Sequence, residues 1–247
     1  MLSITIITKN EERNIRRCLD SIQWAEEVVI VDSGSTDQTL AICKSYTCRI
    51  IHTEWLGFGK TKQLAVNETT HDWVLSIDAD EVITPELQSA IQSVLKNPKA
   101  DGYQIKRESF YLKRKIKYSG WQNDYPLRLF NKRKGQFNDA PVHESVIIDK
   151  THLDTIEAPL LHYPYPSVAS HINKINLYTS LGAEKLYKQG KQSSLLYALV
   201  SGWVKFIKMY LLKSGFLDGK EGFILALLSG FSSTLKYAKL WSLQRTK

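Results

Sequence analysis

The chain has 247 residues, of which 43% are hydrophobic and 23% are charged. That composition excludes intrinsic disorder and a collagen-like fibre, and the length suits one large α/β domain or a domain with an appendage. The net charge of +8 is uneven, because residues 103–135 hold 10 Lys/Arg against 2 Asp/Glu and residues 191–247 hold 9 against 2. These two basic stretches indicate an anionic partner.

Three features of the sequence bear on its compartment. Cys18, Cys43 and Cys48 form neither a disulfide framework nor a zinc motif, which favours a reducing compartment. The N-terminus lacks a basic segment, and its short β-branched run predicts a strand and not a signal peptide. Lysines and Asp218 interrupt the C-terminal apolar region, so we expect a cytoplasmic protein with no membrane-spanning segment.

The first hundred residues alternate strand patterns with helix patterns. Strands are predicted at residues 2–8, 28–31, 49–52 and 73–77. Helices are predicted to begin at a cap on Asn10, at a capping box of Ser35 and Gln38, at Lys60 and at Pro85. Such alternation predicts a parallel sheet.

After Asp101 the pattern changes. Strand-like runs at residues 103–105, 110–112, 127–130 and 146–148 predict mixed or antiparallel pairing. Three helical stretches follow near residues 167–189, 193–213 and 221–244, with breaks at Gly190 and at residues 215–219. We expect one domain over residues 1–165, with halves at 1–100 and 101–165, and a helical, basic appendage over 166–247.

Polar turns after the predicted strands are the places where this kind of sheet binds ligands. They are TKNE at 8–11, DSGSTD at 32–37, the turn at 57–63 and DADE at 78–81. Asp78 and Asp80 can present oxygen ligands to a Mg²⁺ or Mn²⁺ ion that also binds phosphate. A solvated acidic turn before the Pro85 helix is the alternative.

Three segments together resemble family 2 glycosyltransferases of the GT-A fold: TKNEERNI at 8–15, VVIVDSGSTDQT at 28–39 and LSIDADE at 75–81. The resemblance implies an α/β, Rossmann-like sheet whose 1–100 half binds a nucleotide sugar and whose mixed-strand 101–165 half binds the acceptor. The pocket residues that it implies are Thr8, Asn10, Glu11, Asp32 and Asp78. Asp32 would bind the uracil or ribose, Asp78 the donor ribose and Asp80 the metal-bound diphosphate. For Asp32, a helix-capping turn residue is the alternative.

A narrower resemblance is carried by EWLGFGKTKQLAV at 54–66, APVHESV at 140–146 and LLHYPYPS at 160–167. These segments are similar to lipopolysaccharide-core glucosyltransferases that add glucose to the first inner-core heptose. The implied reaction is inverting transfer of a hexose, namely glucose from UDP-glucose. Lys62 would lie on a donor-facing helix and neutralise the diphosphate, or else be a solvated helix lysine. A P-loop is excluded because Glu54 occupies its first glycine position.

Inverting transfer needs a carboxylate that removes the proton of the acceptor hydroxyl. Glu144 is our candidate, with Asp139 and Asp124 as rivals, and His143 is a candidate metal or diphosphate ligand. Adjacent residues of a strand point to opposite faces, so His143 and Glu144 both serve the site only if they lie in a loop. His162 is either a further ligand or a buried core histidine.

The basic stretch at 103–135 includes Tyr111, Tyr118 and Trp121, a combination that suits a phosphorylated sugar acceptor or, alternatively, nucleic acid. Apolar C-terminal helices with interspersed lysines suit an anionic membrane surface, or else packing or a dimer contact. We expect UDP-glucose and a lipid-anchored, phosphorylated oligosaccharide as partners, at the inner face of the cytoplasmic membrane. The alternatives are a polyprenyl-phosphate or capsular or exopolysaccharide acceptor, a catalytically degenerate scaffold, and a nucleic-acid-binding module. We expect no nucleic acid, because no nucleic-acid motif accompanies the charge.

Overall fold

The computed structural model of the protein describes residues 1–139 and 144–245. Its strands are β1 (Leu2–Thr8), β2 (Glu27–Asp32), β3 (Arg49–His52), β4 (Trp73–Asp78), β5 (Glu81–Ile83), β6 (Gly102–Tyr111), β7 (Arg114–Lys115), β8 (Leu127–Asn131), β9 (Gln136–Phe137), β10 (Val146–Ile147) and β11 (Leu153–Tyr165). Its helices are α1 (Ile15–Asp20), α2 (Thr39–Cys43), α3 (Phe58–Asn67), α4 (Pro85–Lys96), α5 (Val168–Lys188), α6 (Leu195–Ile207) and α7 (Gly219–Leu243). Short helical turns cover Lys150–His152, Lys208–Leu212 and Gly215–Asp218.

The main sheet has the strand order β3-β2-β1-β4-β8-β6-β11-β5, and β7 pairs with β6 beside this path. β1 is parallel to β2 and β4, and β2 is parallel to β3. β8 is antiparallel to β4 and to β6, and β11 is antiparallel to β5. The predicted α/β fold class, with a parallel first part and a mixed second part, is therefore confirmed.

The strand register places the functional candidates at one edge of the parallel part. Thr8 pairs with Asp32, Asp32 with His52, and Ile7 with Asp78. The carboxyl ends of β1, β2, β3 and β4 therefore coincide, which is the edge at which open α/β sheets bind ligands.

The central strands that end at this edge are buried in the apolar core of the sheet. β1 is buried on both of its faces, with Leu2, Ile4 and Ile6 in the apolar core on one face and the small polar residues Ser3 and Thr5 on the other, as in parallel strands covered by helices. Leu87 and Ile91 of α4 pack into the same core. That helix begins where the sequence predicts it, with Pro85 first and the Thr84 hydroxyl accepting the Leu87 N–H at 3.1 Å.

Two predicted helix starts are wrong. Asn10 has φ +58° and lies in a loop, and α1 begins only at Ile15. The predicted capping box at Ser35 is absent, since α2 begins at Thr39, whose N–H donates to the Asp37 carboxylate at 3.0 Å. In both loops, side chains that resemble helix caps form hydrogen bonds within and between loops instead.

The second half of the sheet also differs from its prediction. The runs predicted at 103–105 and 110–112 fall on the single strand β6, which ends at Tyr111, and strands β5 and β11 have no counterpart among the predicted elements. β11 contains Pro159 and Pro164, and proline within a run argues against a strand when only the sequence is read.

The chain divides into two compact units, Met1–Glu108 with Asp124–His162, and Ser109–Asn123 with Tyr163–Lys247. Within the second unit, the buried carboxylate of Asp218 accepts the N–H groups of Lys117 and Tyr118 at 2.9 and 3.0 Å and the Ser119 hydroxyl at 3.0 Å. These bonds connect residues 117–119 to the helical turn before α7 within that unit. The boundary expected at residue 165 concerns the family domain and stays a prediction.

The C-terminal helices follow the three predicted stretches. Within the described residues, Leu195–Leu212 is long and apolar enough to cross a membrane by length and composition, with a mean hydropathy of 1.4. This segment contains Lys205 and Lys208, the charges on which the expectation of no membrane-spanning segment depends, so that expectation stays a prediction. Only 17% of this segment is buried.

Candidate active site

Hydrogen bonds join the loop after β1 to the loop after β2. The Asn10 N–H donates to the Ser35 hydroxyl at 2.9 Å, and the Asn10 side-chain oxygen accepts the Thr36 N–H at 2.8 Å. The Glu11 N–H donates to the Thr39 hydroxyl at 2.8 Å. The two loops thus form one polar rim at the end of the sheet, and the nucleotide-binding roles of Asn10 and Glu11 stay predictions.

Asp32 lies buried at the end of β2 and closes its own turn. One of its carboxylate oxygens accepts the N–H groups of Gly34 and Ser35, each at 3.0 Å, and the other accepts the Ser35 hydroxyl. Gly34 has φ +85°, a conformation that glycine adopts without strain. The geometry is that of the turn residue considered as an alternative, and nucleotide binding by Asp32 stays a prediction.

Two buried hydroxyls lie at the same edge. Thr8 Oγ1 and Ser33 Oγ have no hydrogen-bond partner in the part of the chain that the structure describes. A buried polar atom without a partner is costly, and such atoms occur where a ligand completes the hydrogen bonding. The two hydroxyls therefore favour a polar ligand at the ends of β1 and β2.

A buried lysine connects the end of β4 to residue 144. Lys62 of α3 is 2% exposed, and its Nζ lies 2.8 Å from Asp78 Oδ1 and 2.7 Å from Glu144 Oε1. Lysine is almost never buried to this extent unless it is paired. The structure thus brings together three of the predicted site residues, Lys62, Asp78 and Glu144.

Asp78 also contacts a second cation. Arg128 of β8 bonds both to Asp78 and, at 2.6 Å, to the fully buried Glu81, which in turn accepts the Asp78 N–H at 3.0 Å. Burial alone would raise the pKa of Asp78, but the positive charges of Arg128 and Lys62 lower that pKa well below its ordinary value. Asp78 is therefore a fixed, ionised acceptor whose charge is already balanced.

Asp80 has a different neighbour. Its Oδ1 lies 3.7 Å from Nε2 of His162 on β11, and both side chains are mostly buried. Burial lowers the pKa of His162 below its ordinary value, and Asp80 offsets this only in part. The imidazole is therefore neutral near pH 7, which is the form that binds metals.

The donor set at Asp80 fits a divalent cation that is shared with a substrate. Within residues 1–139 and 144–245 no group of three or more His, Cys, Asp or Glu side chains is arranged to hold a metal. One carboxylate and one imidazole nevertheless suffice for an ion that takes its remaining ligands from phosphate and water. His143, the predicted ligand, lies outside the described residues, and His162 is the histidine that the structure places beside Asp80.

Comparisons with known proteins identify the family to which the chain belongs. The model of the family described as Glycosyl transferase family 2 matches residues 3–151. The chain belongs to that family. An uncharacterized glycosyltransferase of Rickettsia typhi is 33% identical over 97% of this chain and 86% of its own length. The lipopolysaccharide core biosynthesis glycosyltransferase LpsC of Rhizobium meliloti is 28% identical over 97% of this chain and 92% of its own length.

Among solved structures, S. aureus TarS in complex with UDP superposes with a TM-score of 0.52 at 15% identity. The match covers 99% of this chain and 90% of the TarS chain. At that identity the likeness concerns the fold, and it confirms the expected GT-A architecture of a family 2 glycosyltransferase.

The rival bases have other surroundings in this glycosyltransferase. Asp124 pairs with Arg107, whose guanidinium nitrogens lie 2.7 and 2.8 Å from the carboxylate. Asp139 is exposed at the surface. Of the three carboxylates, Glu144 is the one that the structure connects to Asp78.

Several cations of the basic stretch at 103–135 bind groups within the protein. Arg107 and Arg128 bind the buried Glu81, Lys132 binds the Thr69 carbonyl, and Arg133 pairs with Asp72. Tyr111, expected to stack on a sugar, is fully buried, and its hydroxyl lies 3.0 Å from Nδ1 of His171. Those expectations for Arg128 and Tyr111 are wrong, because both side chains serve the interior.

Glu81 has no predicted role, and Arg107 and Arg128 are predicted only as members of the basic stretch that would bind an acceptor. Their signal was an arginine inside the apolar strand LRLF and a glutamate directly after a buried strand. Charged residues in such positions need buried partners of opposite sign.

Proposed function

We propose that this family 2 glycosyltransferase is a metal-dependent, inverting hexosyltransferase that transfers glucose from UDP-glucose to the inner-core heptose of lipopolysaccharide. The observation that carries the reaction is the contact of Lys62 with both Asp78 and Glu144. This contact supports Glu144 as the base, because the Lys62 ammonium group links its carboxylate to Asp78 at the carboxyl end of β4. TarS, which shares the fold, has been crystallised with UDP and with UDP-GlcNAc, which supports a uridine nucleotide as the donor.

In the proposed reaction the acceptor hydroxyl attacks the anomeric carbon from the face opposite to the diphosphate. A new glycosidic bond forms, the bond from the anomeric carbon to the diphosphate oxygen breaks, and UDP leaves with that electron pair. Glu144 takes the proton of the acceptor hydroxyl, which requires its carboxylate to be ionised. Lys62 faces Glu144 and Asp78 together, so it positions the base relative to the donor site.

The remaining residues hold the donor. In this proposal Asp78, whose carboxylate is kept ionised by Arg128 and Lys62, accepts hydrogen bonds from the ribose hydroxyls. The hydroxyls of Thr8 and Ser33 are available to the nucleotide. A Mg²⁺ or Mn²⁺ ion held by Asp80 and His162 would neutralise charge on the departing diphosphate.

The acceptor part of the proposal rests on the similarity to LpsC, which extends over 97% of this chain. A polyprenyl-phosphate or capsular acceptor is the alternative within the same reaction class. A nucleic-acid-binding role is disfavoured, since several cations of the basic stretch already bind carboxylates within the protein.

The test is transfer by the purified enzyme. With Mn²⁺ or Mg²⁺, UDP-glucose and a heptose-terminated lipopolysaccharide core, we expect release of UDP and a gain of one hexose mass in the core. Hexose gain on a polyprenyl phosphate, and not on the core, would select the alternative acceptor. Absence of nucleotide release from UDP-glucose and from other UDP- and GDP-sugars would contradict the proposed reaction.

A further inference from the structure

The helix α6 presents a broad apolar face to solvent. Six apolar residues that recur at helical spacing along α6 are between 42% and 72% exposed, namely Leu196, Leu199, Val200, Trp203, Val204 and Ile207. The opposite side of α6, with Ala198 and Gly202, is buried. Exposed apolar surface of this extent on a helix is typical of an interaction site.

The apolar face continues onto α7. Phe206 of α6 contacts the exposed ring of Trp203, with ring centroids 6.3 Å apart, and the ring of Phe223 on α7, with centroids 6.0 Å apart. Phe223, Leu227 and Phe231 follow at intervals of four residues and are 43% to 49% exposed. We refer to the exposed apolar residues of α6 together with this stripe of α7 as the apolar face.

The charges around the apolar face are positive. Lys205 on α6 and Lys208 in the helical turn that follows it are exposed, and residues 191–217 contain no acid. Of the two acids in residues 191–247, Asp218 is buried and hydrogen-bonded, and Glu221 lies 3.6 Å from Arg114. An apolar helix face flanked by lysines and without acids complements an anionic lipid surface.

We propose that the apolar face docks in the plane of an anionic membrane surface. An in-plane position is favoured over a spanning one because α7 packs along the other side of α6. A methyl group on Gly202 would lie 1.9 Å from Thr234 Oγ1 and 2.9 Å from the Gly230 carbonyl oxygen, so the helices are in close contact there. A spanning Leu195–Leu212 segment would also place Lys205 and Lys208 in hydrocarbon, which is costly.

The membrane is then the surface at which the enzyme meets a lipid-anchored acceptor. The identity of that acceptor rests on the proposed function, whereas the docking itself does not. A second copy of the chain is a weaker occupant, because pairing two apolar faces would bring their lysines together.

The direct test is sedimentation of the full chain with vesicles, without donor or acceptor. We expect binding to vesicles of phosphatidylcholine mixed with phosphatidylglycerol, weaker binding in high salt, and little binding to phosphatidylcholine alone. Trp203→Glu should weaken binding by about tenfold or more, and Lys205→Gln with Lys208→Gln should weaken it without altering the apolar face. Leu177→Glu on α5 is the matched control, since Leu177 is 54% exposed but lies outside that face.

Unchanged vesicle binding by both the Trp203 and the lysine variants would overturn the proposal, as would lipid-independent dimers that Trp203→Glu dissociates. Thermal melting shows whether each variant is folded, and the lysine variant keeps the test valid if Trp203→Glu does not fold. Transfer to a soluble, deacylated core should survive Trp203→Glu, whereas transfer to the same core in vesicles should fall. If no transfer occurs to either acceptor while vesicles are still bound, the proposed function fails and the docking surface stands.

Discussion

The ammonium group of Lys62 lies 2.7 Å from the carboxylate of Glu144, although 82 positions separate these residues in the chain. The same ammonium group lies 2.8 Å from Asp78. An amine with two carboxylate partners orients both of them, since each ion pair limits where its carboxylate can lie. Lys62 therefore links the candidate base, Glu144, to Asp78 at the end of β4, where we propose that the donor binds.

The contribution of Lys62 can be measured by Lys62→Met. We expect kcat to fall by about 10²-fold, because Asp78 and Glu144 lose the cation that positions them, a loss comparable to removal of one preorganised donor. Lys60→Met is the matched control, because Lys60 is an exposed lysine of the same helix. Equal kcat values for the two variants, with UDP-glucose and core acceptor, would contradict the positioning role of Lys62.

Glu144→Gln tests the base itself. Removal of a general base typically costs about 10² to 10⁴ in rate, and we expect that loss in kcat with little change in the affinity for UDP-glucose. Donor affinity is read from the thermal shift that UDP-glucose and Mn²⁺ produce, because a ligand that binds only the folded protein raises its melting temperature. If Asp139→Asn causes this loss and Glu144→Gln does not, the base is Asp139.

Arg128→Met is expected to cost about 3 kcal/mol of stability, because it removes the cation that Asp78 shares with the fully buried Glu81 and leaves each carboxylate with one cation, Lys62 or Arg107. The matched control is Arg133→Met. The Arg133 side chain is 74% exposed, and loss of its pair with Asp72 should change the free energy of unfolding by less than about 1 kcal/mol. Urea unfolding measures the free energy of unfolding of both variants. Similar losses would mean that the Arg128 network stabilises the protein no more than the exposed Arg133–Asp72 pair.

The sequence predicts the parallel part of this fold well because its signals are local. β3 and α4 have the predicted residues, since a short apolar run bounded by polar turns and a Thr-Pro helix start depend on near neighbours. The polar turns after β1, β2 and β4 meet at one edge because parallel strands align their carboxyl ends. The resemblance to family 2 glycosyltransferases supplied the role of each turn.

The rest depends on contacts between distant residues. Nothing near Arg128 in the chain shows that it binds Asp78 and Glu81, and a cluster of cations gives the same pattern whether its members face solvent or buried acids. β11 contains two prolines, which argue against a strand in the sequence. Its pairing with β5, which is distant in the chain, forms the strand nevertheless. The approach of His162 to Asp80 likewise depends on the position of β11, so no local pattern could predict it.

Stability should depend on pH through His171, which lies in the second compact unit. Burial, with a smaller effect of Lys174, lowers the pKa of His171 from its ordinary 6.5 to about 4. Because the unfolded chain takes up a proton below pH 6.5 and the folded chain does not, the stabilising contribution is complete above pH 6.5 and is lost as pH falls towards 4. We expect a loss of roughly 3 kcal/mol over that range.

His171→Gln removes the titrating group and should flatten this part of the profile. Urea unfolding between pH 7 and pH 4 measures it. Parallel pH profiles of the original protein and the variant would show that His171 does not carry the dependence.

The close packing of α6 on α7 gives a paired glycine test. Gly202→Ala should destabilise the protein by about 1 to 3 kcal/mol, because the new methyl group would overlap Thr234 Oγ1 at 1.9 Å and the helices would have to move apart. Gly182→Ala on α5 should be neutral or stabilising by up to about 1 kcal/mol, since alanine is the better helix former. Its methyl group meets only the flexible side chain of Lys236, at 3.2 Å. Thermal and urea unfolding measure the stability of the two variants. If Gly202→Ala is no less stable than Gly182→Ala, α6 and α7 tolerate a side chain at Gly202.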